Sequence, residues 1–241
     1  MYTDNNKQRK GKALILSASI VALSLGGCAV NEKDPETKPD PVVSEEKQEV
    51  NVIDIYKDTI NEYVEFLNGD KEYDENTMPL SMREMSYDPY LDHFGYALMD
   101  INEDGVDELL IGSYSEDAHF FYDMYVIKDG KVKYCVKDES NVRVAGYSQD
   151  YYAITNDNKI YNYTVNGEES WTASVSSFDG SRLNLEKKYR FNSFEDATCM
   201  EWNLDTEQWQ ETTSEALNDF SNTYSMENFK VIPYKTLSEI K

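Results

Sequence analysis

The chain has 241 residues, with Asp+Glu 46 against Lys+Arg 23 and a formal net charge of −23 at pH 7. That balance excludes nucleic acid as a partner, because phosphates are neutralised by Lys and Arg, and it excludes electrostatic adhesion to anionic lipid. With 3 Cys and 2 His there is no zinc-ligand spacing, and only His93 and His119 offer an imidazole base.

The first segment reads as an export signal. Lys7, Arg9, Lys10 and Lys12 form a basic start, and Ala13 to Leu25 is an apolar run of about 13 residues. As a helix it spans only about 20 Å, short of the roughly 30 Å hydrocarbon core that a membrane-crossing helix must span. Gly26 and Gly27 let a peptidase approach the backbone before Cys28. The order Leu25-Gly26-Gly27-Cys28 resembles the lipobox of bacterial lipoproteins, in which the cysteine receives a diacylglyceryl group before cleavage. Two acyl chains meet the two-signal condition for stable anchoring. The resemblance implies residues 1–27 as signal peptide, lipidation at Cys28, and residence on the outer face of the bacterial cytoplasmic membrane. The alternative is an ordinary signal peptide, or an uncleaved anchor, that happens to carry a cysteine.

Residues 28–50 read as a tether. Asp34-Pro35, Lys38-Pro39 and Asp40-Pro41 sit among Glu, Lys, Thr and Ser, a composition that cannot bury enough apolar surface to offset ordering and that proline keeps extended. The remaining 51–241 suit a single extracytoplasmic domain. Export removes four bases and the single acid Asp4, so the domain is more acidic still, which favours solubility and cation uptake.

Ile53, Tyr56, Ile60, Tyr63, Val64 and Leu67 recur at three- and four-residue steps and predict a helix over 51–67, with Asn51 as cap and Gly69 as stop. Residues 70–92 read as irregular, broken by Met78-Pro79 and Asp88-Pro89. From Phe94 the pattern turns to strands. Phe94 to Ile101 and Glu108 to Ser113 are nearly continuous apolar runs, which predicts strands covered on both faces. His119 to Lys128 alternates with Phe120, Tyr122, Met124 and Val126 on one side, and Asp129-Gly130 predicts a tight hairpin into Val132, Tyr134 and Val136. Turns at 156–158 and at Asp179-Gly180 divide two further strand pairs, and Ala197 to Leu204 reads as one more strand. Thr212-Thr213-Ser214-Glu215 resembles a capping box opening a helix with Leu217, Phe220 and Tyr224 on one face. Short turns between strands imply antiparallel neighbours. The expected fold is α+β: an N-terminal helix, an antiparallel β-meander of about eight to ten strands, and a short C-terminal helix.

The run Asp100-Ile101-Asn102-Glu103-Asp104-Gly105-Val106-Asp107-Glu108 carries the second clear signal. Alternate spacing aims Asp100, Asn102 and Asp104 at one centre, Gly105 permits the sharp turn, the Val106 carbonyl joins them, and Glu108 closes the far side. A hard cation such as calcium takes six to eight oxygens. The loop is not a full EF-hand, because Ile111 stands where the bidentate glutamate belongs. Its strand-like flanks make it look more like the calcium turns of integrin-type propellers. The competing reading is a polar turn whose Asp and Asn bond their own backbone. The run from Tyr96 to Ile111, with the Asp129-Gly130 hairpin after it, is similar to a phrase common in uncharacterised exported lipoproteins of Gram-positive bacteria. The resemblance implies an EF-hand-like metal turn and no activity.

Cys135 and Cys199 fall on strand positions that alternate with polar residues, Lys131, Lys133 and Lys137 for the first and Glu201 and Asn203 for the second. Export permits them a disulfide, and two thiols is the other reading. Trp171 and Trp202 read as core by alternation. Trp209, among Glu207, Gln208, Gln210 and Glu211, reads as the exposed, ligand-facing aromatic. No nucleophile elbow, zinc-protease motif or phosphate-binding loop is present. The functional expectation is a membrane-anchored, non-enzymatic binding module with a structural calcium turn, facing a cell-wall, glycan or protein ligand. A carbohydrate-binding lipoprotein using exposed Tyr and Trp, and an unrecognised cell-envelope hydrolase, are the alternatives.

Overall fold

The computed structural model describes residues 51–88, 90–136, 150–165, 170–193 and 197–240. Cys28, the signal segment and the tether lie outside them. The chain is α+β, with helices near both ends of the described domain and antiparallel strands between.

Helix α1 (Val52–Leu67) buries Tyr56, Ile60, Tyr63 and Leu67, the periodic stripe seen in the sequence. Asn51 occupies the N-cap through its backbone carbonyl, which accepts the Asp54 N–H at 2.9 Å, and its side chain makes no cap bond. A second helix, α2 (Leu80–Met85), falls where the sequence reads as irregular. Pro79 starts this helix rather than breaking it, because a first-turn residue has no helical N–H partner to lose. Ser81, Met82 and Met85 face inward.

The first sheet joins β1 (Phe94–Met99), β2 (Glu108–Ser113), β4 (Asp123–Lys128), β5 (Lys131–Tyr134) and β12 (Lys235–Thr236) in the order β12-β1-β2-β4-β5. The second joins β3 (Phe120–Phe121), β6 (Asp150–Ile154), β7 (Ile160–Val165), β8 (Ser170–Phe178), β9 (Leu183–Asn192), β10 (Thr198–Asn203) and β11 (Gln208–Glu211), with β6 to β11 in sequential order. The strands beyond the expected eight to ten are short: β3, β11 and β12. The predicted strand over 119–128 is two strands in different sheets. Tyr122 turns the corner, its N–H on the Ile111 carbonyl at 2.8 Å, as strands do where they pass between packed sheets.

Three apolar layers follow. Tyr96, Leu109, Ile111 and Tyr125 pack under α1 and α2. Ala97, Leu110, Met124 and Val126 meet Phe121, Tyr152, Ile154, Ile160 and Phe178 between the sheets. Ala153, Tyr161, Ala173, Val175 and Tyr189 pack under Leu217 and Phe220 of α3 (Ser214–Thr223). The order is helix, sheet, sheet, helix. β1 and β2 are therefore covered on both faces, as their unbroken apolar runs predict. Thr213 caps α3, its Oγ1 accepting the Ala216 N–H at 3.1 Å. Gly95 and Gly112 face each other across β1 and β2, and Tyr234 lies over both, so a Cβ at Gly95 would sit 2.9 Å from the Tyr234 side chain.

Cys135 corrects an expectation. It is buried between the sheets, not on a polar face, because β5 stops at Tyr134 and the Cys135 N–H still reaches the Met124 carbonyl at 2.8 Å, which draws the chain inward. Cys199 packs half-buried in the α3 layer. The structure carries both as thiols.

Candidate metal turn

The turn of 100–108 links β1 to β2, whose register pairs Met99 with Glu108. Glu103 has φ 61 and Gly105 φ 87, the left-handed conformations that tighten the loop, and Gly105 adopts its own without a Cβ penalty. Asp100 organises the turn: its Oδ1 accepts the Asp104 N–H at 3.0 Å and its Oδ2 the Gly105 N–H at 2.8 Å. Asp104 accepts the Val106 N–H on Oδ1 at 2.9 Å and the Asn102 side-chain amide on Oδ2 at 2.8 Å. Asp100 and Asp104 thus bond the backbone of their own turn, as a polar turn does, and Asn102 is tied to Asp104. Val106 sits at the outer edge with its side chain in solvent.

Glu108 lies beneath. It is 2% exposed, and its Oε2 accepts the Ile101 N–H at 2.9 Å. Burial pushes its carboxyl up to about 7, with the nearby Asp104 and Asp100 charges adding to the shift. Asn102 Oδ1 is buried without a hydrogen-bond partner, an arrangement that costs about 1–3 kcal/mol when nothing replaces water. A buried amide oxygen, a buried carboxyl and two carboxylates that keep spare lone pairs are oxygen donors of the kind a hard cation takes. Among the described residues no group of three or more His, Cys, Asp and Glu side chains converges closely enough to hold a metal ion. Asp100, Asp104 and Glu108 are three carboxylates of the expected set, and they do not form such a group.

Elements distant in sequence cover this turn. Tyr56 of α1 donates its hydroxyl to the Asp107 carbonyl at 3.0 Å. Asn158, in the β6–β7 turn, donates to Glu103 Oε1 at 2.7 Å, and its own side-chain oxygen accepts from Lys230. Gly180, in the β8–β9 turn, lies so close that a Cβ there would meet Asn102 Nδ2 at 2.6 Å and Asp104 Oδ2 at 3.1 Å. Beside it Asp179 is held well below the usual carboxylate range by hydrogen bonds from Asn184, Ser181 and Arg182. Sequence reasoning identifies both turns but not their packing on the 100–108 loop.

The remaining candidates are placed as follows. His93 pairs with Asp88 at 2.8 Å on the surface, which raises its pKa. His119 Nδ1 donates to the Lys230 carbonyl at 3.0 Å. An open depression of ≈ 420 Å³ beside α1 is lined by Asp58, Thr59, Asn61, Glu62, Glu65 and Lys71, with no imidazole, thiol or serine. Trp209 is half-buried rather than exposed, because the Arg190 guanidinium lies 4.2 Å from its ring centroid and Trp202 packs edge-on at 5.4 Å. Trp202 belongs to none of the three apolar layers. Trp171 continues a row of Tyr151, Tyr163 and Phe191, stacked or tilted at 5.2 to 5.9 Å. Among the described residues no helix is long and apolar enough to cross a membrane. Models of known families, characterised proteins and solved structures yield no match to this chain.

Proposed function

We propose that the chain is a lipoprotein held by Cys28 on the outer face of the bacterial cytoplasmic membrane, a non-enzymatic binding module whose sheets are pinned by calcium in the 100–108 turn. The observation that carries the metal is the buried, unpartnered Asn102 Oδ1, in the same turn as the buried Glu108. Asp100, Asn102, Asp104 and Glu108 would supply side-chain oxygens and Val106 its carbonyl. Calcium bound there neutralises carboxylates that otherwise repel one another. The chain's own groups do the rest: Asp100 sets the backbone through Asp104 and Gly105, Asn158 holds Glu103, and the Gly180 turn closes over Asn102. The role is structural, since a ligand that binds only the folded state stabilises it.

The test is thermal unfolding in calcium and in chelator. At a calcium concentration about one hundred times Kd the gain is about 2.7 kcal/mol, a rise in midpoint of roughly 5–10 °C for a domain of this size. Asp100→Ala with Asp104→Ala should abolish the rise. Equal midpoints in both buffers, for the natural chain and the variant, would remove the metal. Mass spectrometry of the native product tests the anchor. An N-terminal diacylglyceryl Cys28 is expected, and a retained Met1 would overturn it.

A further inference from the structure

We propose that Lys188, Arg190, Trp202 and Trp209 form a binding site for a glycan that carries isolated carboxylates. Alternation along β9 puts Lys188 and Arg190 on the sheet face opposite α3, since Tyr189 between them packs in the α3 layer. On that same face Trp202 of β10 and Trp209 of β11 are direct cross-strand partners. Lys188 Nζ stands 5.8 and 5.7 Å from the two indole centroids, and the Arg190 guanidinium 4.2 Å from that of Trp209. All four are half-buried, at the free edge of the second sheet.

Two features identify the ligand. Acids outnumber bases two to one in this chain, yet among the described residues no ion pair includes Lys188 or Arg190. A guanidinium stacked on an indole keeps its N–H edge available for a carboxylate, and the stacking pre-orders it. The two indoles meet edge to face, with 73° between their planes, so the C–H face of a sugar ring would pack on a single indole, Trp202, beside the Arg190-covered Trp209. The net charge of −23 repels a dense polyanion. Screening beyond about 8 Å lets a lone carboxylate respond mainly to the two local cations. Glu211, opposite Met200 on the same face, further limits how many negative charges fit.

The inference rests on reading the chain as a binding module, and it deepens that reading. The site lies eight or more residues along β9 from the Gly180 turn, roughly 25 Å or more from the metal loop, so the two can fail separately. The probe is a hyaluronan hexasaccharide, with carboxylates on alternate sugars, titrated calorimetrically into the full-length chain in mild detergent. Chitohexaose serves as the neutral arm and a heparin hexasaccharide as the densely charged arm. Hyaluronan should bind about tenfold or more tighter than either, and Arg190→Ala or Trp209→Ala should weaken it about tenfold or more with the thermal midpoint retained. Arg190→Lys should recover only part of the loss. Asp104→Ala should abolish the calcium response while leaving hyaluronan affinity within about twofold. No binding of hyaluronan, an affinity unchanged by Arg190→Ala, or tighter binding of heparin would each overturn the proposal. A calcium response that persists without glycan binding would leave the metal reading standing alone.

Discussion

Glu108 is 2% exposed, and burial pushes its carboxyl from the ordinary glutamate value of 4.5 up to about 7. Below about pH 4.5 it is protonated in both the folded and unfolded chains. Between there and about 7 only the unfolded chain releases the proton, so the folded state binds more protons and its stability falls as pH rises. Above the folded pKa the loss is complete, at about 3 kcal/mol for this group on a scale of about 1.4 kcal/mol per unit. Calcium held in the turn as proposed would reverse the sign, because a cation takes the ionised carboxylate. In chelator, Glu108→Gln should therefore be flatter than the natural chain from about pH 4.5 to 7, and it should lose the calcium gain at neutral pH. Denaturant midpoints across that range, with and without calcium, check both. The residue types and spacing of this turn are legible in the sequence. The depth at which Glu108 lies is not, because burial depends on which elements close over it.

At the scale of elements, a single carboxylate ties α1, α2 and the first sheet together. Asp123 opens β4 at 0% exposure. It accepts hydroxyl hydrogen bonds from Tyr63 of α1 at 2.6 Å, from Tyr134 of β5 at 2.8 Å and from Ser81 of α2. Tyr63 also meets the Tyr125 hydroxyl at 2.9 Å, and burial beside Asp123 pushes the Tyr63 and Tyr134 phenols well up. Asp123→Ala leaves three buried hydroxyls without that acceptor, at about 1–3 kcal/mol each. We expect a loss of at least about 3 kcal/mol in urea unfolding, against about 1 kcal/mol for Tyr63→Phe. Alternation marks Asp123 as a polar strand position, which ordinarily means solvent. The covering helix α1 is 60 residues away in sequence, and no local pattern records that contact. The same limit hid α2, where two prolines read as breakers although one of them is a helix start.

At the scale of the whole molecule, the 100–108 turn is where the two sheets touch through their loops. Asn158 reaches Glu103, and Gly180 packs on Asn102 and Asp104. Calcium should therefore slow amide exchange in 156–158 and 179–182 together with 100–108, a pattern that hydrogen-exchange mass spectrometry resolves. Protection confined to 100–108 would mean the sheets are not coupled through the ion. Periodicity and turn chemistry are properties of neighbouring residues, and they suffice for the helix stripe at Tyr56, Ile60, Tyr63 and Leu67, for the Asp129-Gly130 hairpin and for the tight turn between β1 and β2. Contacts between residues far apart in sequence settled the split of 119–128 between two sheets, the burial of Cys135 and Asp123, and the closing of the second-sheet turns over the loop. Those outcomes depend on which faces meet when the layers stack, and that pairing arises from the folded chain as a whole.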